Sequence, residues 1–470
     1  MTEHVTWGAQ NGRSADSAPN SRELIERIAR DLARLESSAP FVVLTWPVAR
    51  VPSERLLAAS GSGAAVYWAP PGEEEVAGLG ATFTLTAEGP DRFRSVQAQA
   101  LATWVKLDVS QKDELAPRLR FFGGFAFQPG QAKTGVWQGF GDARFVMPTL
   151  SYLKSAQGAW LQLVVRSTGW DRAAFENELE ALLISALHAL FTPNSVRERP
   201  REVGREEGSP EAWAELVAAI QSEIKQGHVQ KIVAARRVGL SLDRELQPAL
   251  VQARLREDAP ESTRFAFRVG AATFLGATPE QLVQKRGLEL RTEAVAGSID
   301  TDDAGSATRL LESDKDSREH EFVVREILRV LEPLTSELAP SAEREVHRLR
   351  TVLHLRTTIR GTLREPSHVL ELVARLHPTP AVGGVPTAAA IDFITEHEPQ
   401  ERGWYTGPFG WFDAAGDGRF VVALRSGVVS GKNAELYAGA GVVQDSNAPS
   451  EFAETRWKLA ALLGALGVSG

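Results

Sequence analysis

The sequence of 470 residues contains no cysteine, which excludes disulfide bonds and thiolate-bound metals. It also contains no apolar run long enough to cross a bilayer. Residues 1–20 lack the apolar core of a signal peptide and are predicted to form a disordered tail. The formal net charge is -8, with acids and bases interspersed, so neither nucleic acid nor an anionic membrane is expected as a partner. Together these absences predict a cytoplasmic protein.

What is present is the composition of an ordinary folded protein, 43% hydrophobic and 24% charged. Helical and strand-like stretches are mixed along the chain without a repeat, which predicts an α+β or layered α/β fold. Residues 21–208 form a first part, which ends in a polar, charged connection at 192–208. The second part, 209–470, opens with a helix that Ser209 caps. A strand at 120–127 carries glycines among aromatic residues, where we expect a neighbouring backbone to come close.

Two pairs of carboxylates stand at the same helical spacing, far apart in the sequence. Asp316 and Glu319 form one pair and Glu451 and Glu454 the other, and residues three apart lie on one side of a helix. Both pairs fall on the predicted inward face, so each acid must be paired, protonated or bound to a cation. Oxygen ligands without cysteine or a histidine cluster favour a hard cation such as Mg²⁺. The alternative interpretation is two amphipathic helices whose acids pair with lysine or arginine.

Two further residues have the chemistry of a base and an acid. Lys231 shares one face of the predicted strand 227–236 with apolar residues, and lost hydration lowers the pKa of such an amine, which makes it a candidate general base. The alternative is a lysine at a strand end whose amine reaches water. Glu280 follows a proline-bearing turn, where apolar neighbours would raise the pKa of its carboxyl and let it donate a proton. Its alternative role is a first-turn glutamate at a helix N-terminus.

Small-residue stretches and one arginine complete the candidate set. The stretches 292–298 and 377–386 are predicted loops that would let a ligand approach backbone N–H groups, or else ordinary tight turns. Gly439 and Gly441 end a predicted strand and could form an anion nest. Arg425 lies in an apolar stretch and suits a bidentate carboxylate contact, or else pairs with one of the acids. No Walker sequence, dinucleotide fingerprint, zinc-ligand spacing or serine-nucleophile elbow is present.

Taken in order, these motifs resemble those of the chorismate-utilising enzymes and, among them, the isochorismate synthases. The resemblance covers 209–470 closely and extends loosely into the N-terminal part through GGFAF at 123–127. The matching stretches are HVQKIVAAR, FLGATPEQL, TEAVAGS, SDKDSREHE, HPTPAVGG, RGWYTGPFGW, YAGAGVV and EFAETRWKL. Several matches in order are far more specific than any one of them. The resemblance implies a layered α/β sandwich, with two β-sheets face to face and helices outside, and a monomeric protein.

The resemblance also implies roles for individual residues. Mg²⁺ would be held mainly by Glu319 and Glu454, with Asp316 and Glu451 supporting it directly or through water. The metal would grip the ring carboxylate of chorismate. The other residues implied to bind substrate are Tyr405, Arg425 and the 439–441 loop at the pyruvyl carboxylate (Gly439, Ala440 and Gly441), and, along the pocket, Ala296, Gly297, His354 and Lys458.

By the same likeness, Lys231 would remove a proton from the water that attacks C2 of the ring. Glu280 would protonate the hydroxyl that leaves C4, so that chorismate becomes isochorismate. A lysine at 231 implies water as the nucleophile, whereas the related anthranilate synthases typically carry glutamine there. The small Ala381 favours isochorismate as the end product over salicylate, which the related salicylate synthases make. A non-catalytic chorismate-binding regulator is a third hypothesis, and menaquinone biosynthesis is favoured over siderophore biosynthesis as the pathway.

Overall fold

The computed structural model describes residues 21–59, 63–110, 113–192, 198–301, 305–349 and 352–468. The tail predicted at 1–20 lies outside the described residues. The helices are α1 Ser21–Ala33, α2 Arg92–Trp104, α3 Arg172–Phe175, α4 Ala181–Phe191, α5 Pro210–Lys225, α6 Pro248–Asp258, α7 Ser306–Glu312, α8 Asp314–Leu331, α9 Val369–Leu376, α10 Thr387–His397 and α11 Ala448–Leu466. Among these described helices, none is long and apolar enough to cross a membrane.

The strands carry most of the architecture. They are β1 Phe41–Pro47, β2 Ala65–Ala69, β3 Glu75–Leu79, β4 Phe83–Ala87, β5 Leu107–Asp108, β6 Arg120–Phe125, β7 Ala143–Met147, β8 Leu150–Lys154, β9 Ala159–Arg166, β10 Glu202–Glu207, β11 Lys231–Leu242, β12 Thr263–Val269, β13 Ala272–Thr278, β14 Gln281–Arg286, β15 Glu289–Asp300, β16 Thr335–Pro340, β17 Glu345–Arg348, β18 Val352–Leu363, β19 Gly384–Val385, β20 Pro408–Asp413, β21 Gly418–Val422, β22 Ser426–Ser430 and β23 Asn433–Val442.

Within the described residues these strands form two sheets, in which pairing is mostly antiparallel. The 13-stranded sheet has the order β10-β11-β23-β22-β13-β12-β2-β3-β8-β9-β1-β5, and β19 also pairs with β11. The 10-stranded sheet has the order β16-β18-β15-β14-β21-β20-β6-β7-β4, and β17 also pairs with β18. Strands distant in sequence are therefore neighbours in space, which brings distant motifs together.

The two sheets pack face to face through an aromatic layer. The ring centroid of Phe265 in β12 lies 4.8 Å from that of Phe409 in β20, and Trp68 in β2 lies 6.1 Å from the same ring. All three side chains are buried. Helices α1, α4, α6 and α11 bury their apolar residues against the larger sheet, and α8 and α9 pack on the smaller one. The predicted α+β sandwich of two facing sheets with helices outside is confirmed.

The N-terminal and C-terminal parts of the chain contribute to both sheets. β2 pairs with β12 in the larger sheet, and β6 pairs with β20 in the smaller one. Residue 208 therefore divides the sequence but does not divide the sheets. Of the connection predicted at 192–208, residues 193–197 lie outside the described residues, and Glu202–Glu207 forms β10 along β11. The side chains of β10 are mostly exposed, so no apolar alternation marked this strand in the sequence.

The glycines of β6 stand where another backbone approaches, as predicted. A Cβ atom on Gly123 would lie 2.0 Å from the carbonyl oxygen of Arg144 in β7. A Cβ atom on Gly124 would lie 2.8 Å from the carbonyl oxygen of Pro408 in β20. Any side chain at either position would push β6 away from its neighbours, so the aromatic strand needs both glycines.

Candidate active site

One cleft brings most of the predicted site residues together. It is formed by β11 and β23 of the larger sheet, β15 and β18 of the smaller sheet, and the helices α8 and α11. The predicted residues that line it are Lys231, Glu280, Ala296, Gly297, Asp316, Glu319, His354, Tyr405, Arg425, Gly439, Gly441, Glu451, Glu454 and Lys458. Residues more than two hundred positions apart in sequence thus share one cleft.

Ala440 is the exception among the predicted residues. Side chains alternate between the two faces of a strand, so Ala440 is directed away from the cleft that Gly439 and Gly441 face. Its side chain is buried in an apolar core cluster that also contains Ile232. The Ala440 side chain is therefore not in the cleft, and the predicted contact of the 439–441 segment with the pyruvyl carboxylate stays a prediction.

Three segments of the site differ from their predicted local structure. Residues 439–441 lie inside β23 and pair with β11, and their glycines have no positive φ, so they form no anion nest. Residues 292–298 lie inside β15, where the pairing with β18 is irregular between Ala296 and Ser298, and Gly297 has φ 76°. Arg425 lies between β21 and β22 with φ 49°. The glycines of these segments were interpreted as signs of loops. In the structure Gly297, Gly439 and Gly441 lie inside strands, where neighbouring atoms come too close for a side chain.

Lys231 is buried in the cleft and paired with Glu319. Its side chain is 2% exposed, and its Nζ donates to Oε1 of Glu319 at 2.7 Å. Lys231 begins β11 on the face that it shares with Val233, as predicted. Its burial excludes the alternative of an amine that reaches bulk water. For Glu319, burial raises the pKa, but the charge and hydrogen bond of Lys231 outweigh burial and lower the pKa overall.

Glu280 lies between β13 and β14, so the alternative role at a helix N-terminus is wrong. Its backbone is fixed on both sides, since its N–H donates to Oγ1 of Thr278 and its carbonyl accepts from the N–H of Val422. The residue is 4% exposed. Burial raises the pKa of the Glu280 carboxyl to about 8, although the charge of Lys231 opposes the shift. The carboxyl is therefore mostly protonated at neutral pH and can act as an acid.

Helices α8 and α11 place four carboxylates in the cleft. Ser313 caps α8 by accepting from the N–H of Asp316, and its hydroxyl donates to Oδ2 of Asp316 at 2.5 Å. Asn447 caps α11 by accepting from the N–H of Ser450. Each acidic pair therefore stands near the start of its helix, on the side that the sequence spacing predicted.

Lysines pair with three of these carboxylates. Besides the pair of Glu319 with Lys231, Nζ of Lys458 lies 2.6 Å from Oε1 of Glu454. Nζ of Lys315 lies 3.5 Å from Oε1 of Glu451. The alternative stated from the sequence, acids paired with lysine, is thus present in the structure. Among the described residues, no group of three or more Asp, Glu, His or Cys side chains is arranged to hold a metal ion.

The donor set fits a hard cation by its chemistry. Carboxylate oxygens are the ligands that Mg²⁺ prefers in proteins. Burial raises the pKa of Asp316, and the nearby charge of Glu319 adds to the shift. Burial likewise raises the pKa of Glu451, and Glu454 adds to it. Negative charge in this part of the cleft is therefore incompletely compensated by the lysines, and a cation would stabilise it once the carboxylates exchanged their lysine partners.

Arg425 and His354 form a hydrogen-bonded pair. Nη2 of Arg425 donates to Nε2 of His354 at 3.2 Å, and Nδ1 of His354 lies 3.2 Å from the carbonyl oxygen of Gly297. Because arginine only donates, the proton of His354 lies on Nδ1. Burial, together with the charge of Arg425, lowers the pKa of His354 well below its ordinary value. A neutral histidine thus orients the guanidinium of Arg425 in the cleft.

Glycines keep space beside the reactive side chains. A Cβ atom on Gly441 would lie 2.8 Å from Cε of Lys231 and 3.1 Å from Oε1 of Glu319. A Cβ atom on Gly297 would lie 3.0 Å from Cβ of Asp316. Both positions therefore need glycine because side chains of the site occupy the space that a Cβ would fill.

Several cleft residues were not predicted from the sequence. Lys315 and Ser298 directly adjoin predicted residues, which was the available signal for both. Thr406 has φ 61°, an uncommon conformation for a residue other than glycine, and such residues cluster at functional sites. No sequence signal marked that conformation. The other unpredicted residues that line the cleft are Val233, Pro279, Val295, Val382, Leu424, Tyr437 and Ala438. Ala381, which the sequence analysis singled out, also lines the cleft.

A family model described as chorismate binding enzyme matches residues 27–467. The chain therefore belongs to the chorismate-binding enzyme family. It is 33% identical over 419 residues to the isochorismate synthase MenF of Bacillus subtilis, which spans 85% of this chain and 87% of that protein. It is 36% identical over 419 residues to the salicylate biosynthesis isochorismate synthase of Pseudomonas aeruginosa, across 86% of this chain and 85% of that protein.

Two solved structures share the fold of this chain. The menaquinone-specific isochorismate synthase MenF from Escherichia coli superposes with a TM-score of 0.78 at 27% identity, covering 95% of this chain and 100% of that chain. Anthranilate synthase component I from Streptococcus pneumoniae superposes with a TM-score of 0.63 at 19% identity, covering 92% of this chain and 96% of that chain. The second likeness is one of fold alone.

Proposed function

We propose that this protein is an isochorismate synthase, which converts chorismate into isochorismate. The observation that carries the proposal is a carboxyl, Glu280, and an amine, Lys231, both buried in one cleft. Exchange of a hydroxyl between two ring carbons needs one group to take a proton and another to give one. A regulator that only binds chorismate needs neither group. Relatives named isochorismate synthases that match most of the chain support the same activity.

In the proposed reaction, Lys231 takes a proton from a water molecule whose oxygen forms a bond to C2 of the ring. The ring double bonds shift, and the bond between C4 and its hydroxyl breaks. Glu280 gives its proton to that hydroxyl, which leaves as water. One water enters and one leaves, so substrate and product are isomers. Lys231 can act as the base only as a neutral amine, so it must first leave its ion pair with Glu319 and lose its extra proton to solvent.

The two carboxylates of chorismate meet opposite electrostatic surroundings in the cleft. We place the pyruvyl carboxylate at Arg425 and Tyr405, because the guanidinium is oriented by His354 rather than held by an acid. The ring carboxylate would then lie toward the acids of α8 and α11. Mg²⁺ held by Glu319 and Glu454, with Asp316 and Glu451 in support, would neutralise and position that carboxylate. The residues Ala296, Gly297, Gly439, Gly441 and Lys458 would complete the substrate pocket.

Product analysis tests the proposed activity. The protein is incubated with chorismate and Mg²⁺, and the products are separated by liquid chromatography with mass detection, beside a sample containing EDTA. A product of unchanged mass and shifted retention, absent with EDTA, is the expected result. Conversion that survives EDTA would contradict the metal requirement while leaving the activity in place. Chorismate that binds without reacting would instead favour the regulator.

A salicylate synthase is the second candidate, since it would make isochorismate and then eliminate pyruvate. Ala381 lines the cleft, and its small side chain favours release of isochorismate. Substituting Ala381 with Thr introduces the β-branched polar side chain that is expected in salicylate synthases. We expect Ala381→Thr to retain isochorismate formation. Salicylate and pyruvate as the main products of the unaltered protein would establish the second candidate.

We propose that the protein serves menaquinone biosynthesis. We also propose that it is a cytoplasmic monomer. The likeness to the menaquinone-specific enzyme of Escherichia coli extends over 95% of this chain and supports the pathway. The relative from Pseudomonas aeruginosa, named for salicylate biosynthesis, offers the rival. Deleting the gene in its host should deplete menaquinone, whereas loss of salicylate or a catecholate siderophore alone would contradict the proposal. Light scattering after size-exclusion chromatography tests the monomer.

A further inference from the structure

Trp137 comes from the N-terminal part of the chain and lies behind the wall of the candidate active site. It ends a short 3₁₀ turn at Gly135–Trp137, and its side chain is buried. Trp137 does not line the cleft itself, but Nε1 of its indole donates to the phenol oxygen of Tyr437 at 3.1 Å. Tyr437 does line the cleft. A residue that the proposed mechanism does not use therefore contacts the wall of the site directly.

Two hydrogen bonds fix the phenol of Tyr437. Because an indole nitrogen can only donate, the phenol oxygen accepts from Trp137, and its own proton is free for an acceptor. That acceptor is Oε2 of Glu435 at 3.0 Å, and Glu435 is itself paired with Arg237 at 3.0 Å. Tyr437 is buried, so the loss of either partner would leave part of a buried polar group unsatisfied. The two bonds together give the ring of Tyr437 one defined position.

Tyr437 in turn supports Tyr405. Their rings are stacked, with centroids 5.3 Å apart and an angle of 21° between the ring planes. The phenol oxygen of Tyr405 lies beside Gly439, where a Cβ atom would stand 3.5 Å from it. Burial raises the pKa of the Tyr405 phenol to about 12, so the phenol keeps its proton at neutral pH and can donate to a carboxylate. A shift of the Tyr437 ring would therefore move a donor that we assign to the pyruvyl carboxylate.

The indole of Trp137 also packs against the backbone that precedes Tyr405. A Cβ atom on Gly403 would lie 2.1 Å from Cδ2 of Trp137, so the indole fills the space that a side chain at 403 would need. Gly403 has φ 55°, in the left-handed region that favours glycine. It lies in a turn in which the N–H of Tyr405 donates to the carbonyl oxygen of Arg402 at 3.0 Å. One indole thus contacts both the turn that carries Tyr405 and the ring on which Tyr405 is stacked.

We propose that Trp137 is a positioning residue for Tyr405, that it acts through Tyr437, and that it thereby sets the affinity for substrate. Trp137 touches no reacting atom, so its loss should weaken substrate binding without slowing the chemical step. The proposal rests on the proposed function for the role of Tyr405 at the pyruvyl carboxylate. The coupling of the three rings can be measured with no substrate present.

Steady-state kinetics separate binding from chemistry. Trp137→Phe keeps an aromatic ring and removes the N–H donor, so it should raise the KM for chorismate about fivefold, as one lost hydrogen bond does, and leave kcat unchanged. Trp160→Phe is the matched control, because Trp160 is equally buried and its indole N–H donates to Oδ2 of Asp113 at 3.2 Å, away from the cleft. The control should leave KM and kcat unchanged. An unchanged KM in Trp137→Phe would overturn the proposal, whatever its kcat.

A double-mutant cycle tests the route through Tyr437. Tyr437→Phe keeps the stack on Tyr405 but removes the oxygen that Trp137 holds, and it should raise KM by a similar factor. In the Tyr437→Phe background, Trp137→Phe should add little, because the shared hydrogen bond is already lost. Fully additive effects on KM would overturn the route. Tyr437→Phe also tests the proposal by itself if Trp137→Phe fails to fold.

Fluorine NMR tests the coupling without substrate. The chain has four tyrosines, so protein labelled with fluorotyrosine gives four resonances, and Tyr405→Phe and Tyr437→Phe assign two of them. Trp137→Phe should shift the resonances of Tyr437 and Tyr405 and leave those of Tyr67 and Tyr152, which lie in a different apolar core cluster. An unshifted Tyr405 resonance would overturn the proposal. Absence of chorismate turnover would contradict the proposed function alone, because this spectrum needs no substrate.

Discussion

Glu280 and Glu319 are buried glutamates of one cleft, and burial has opposite outcomes for them. Glu280 lies between two strands, and burial raises the pKa of its carboxyl to about 8. Glu319 lies on α8 against Nζ of Lys231 at 2.7 Å, and this contact outweighs burial and lowers its pKa. The partner, not the depth of burial, therefore decides which carboxyl is an acid at neutral pH and which is an anion.

The comparison divides the cleft into two regions with different tasks. Around Glu280, the carboxyl is kept neutral and can give a proton. Around α8 and α11, lysines pair with three of the four carboxylates, and carboxylate oxygens are the ligands suited to hold a hard cation. Lys231 belongs to both regions, because it pairs with Glu319 and its charge also acts on Glu280.

The largest expected effect comes from removing the proton carriers. Lys231→Gln and Glu280→Gln keep side-chain size, and each should lower kcat by roughly a thousandfold, since general acid–base catalysis contributes about 10²–10⁴-fold. Chorismate affinity should change little, because neither group is assigned to the substrate carboxylates. Steady-state kinetics and calorimetric titration with chorismate check both values.

Lys225→Gln is the matched control for Lys231→Gln, because Lys225 is exposed at the end of α5. It should leave kcat unchanged. Retention of more than about a tenth of kcat in Lys231→Gln would remove Lys231 from the role of base, since that loss is smaller than a general base supplies.

The next largest effect is on the free energy of unfolding, and it should differ between the ion pair of Glu319 on α8 and that of Glu454 on α11. In EDTA, Glu319→Gln leaves the buried ammonium of Lys231 without its partner and should lower the free energy of unfolding by about 3 kcal/mol. Glu454→Gln should cost less than about 1 kcal/mol, because Lys458 is 17% exposed and still donates to the carbonyl oxygen of Gly439. Urea denaturation measures both, and equal losses would contradict the difference between the pairs.

The pH dependence of stability should report Glu280. Its folded-state pKa of about 8 exceeds the ordinary value of 4.5, so the folded protein holds a proton that the unfolded chain releases. The stabilisation from this proton is complete below pH 4.5, is lost as pH rises toward 8, and is absent above it. Glu280→Gln should remove this component when unfolding free energies are compared from acidic to alkaline pH. Parallel profiles for the variant and the unaltered protein would contradict the raised pKa.

The smallest expected effect comes from the space beside Lys231. Gly441→Ala places a Cβ 2.8 Å from Cε of Lys231, so the amine must move and kcat should fall by about tenfold. Gly464→Ala is the control, because its Cβ would meet nothing within 4 Å. Steady-state kinetics give kcat for the two variants. Equal kcat values would mean that the position of the Lys231 amine does not limit the rate.

Sequence reasoning was strongest where chemistry constrains residue type. Asp316 and Glu319 were placed on the inward face of a helix because helical spacing is local, and both line the cleft. Local pattern failed for β10, whose polar side chains carry no alternation, and for the anion nest predicted at Gly439 and Gly441, which lie inside β23. Neither the pairing of Lys231 with Glu319 nor the positive φ of Thr406 can be deduced from sequence spacing, because both depend on contacts between distant elements.

The most direct test of the account is the origin of the new ring oxygen. The reaction is run in water enriched in heavy oxygen, and isochorismate is analysed by mass spectrometry. If Lys231 activates water for attack at C2, the product carries one labelled oxygen at C2. The original hydroxyl of C4 is then lost to the solvent as water. An unlabelled product would mean that the original hydroxyl migrates within the substrate, and it would contradict the roles assigned to Lys231 and Glu280.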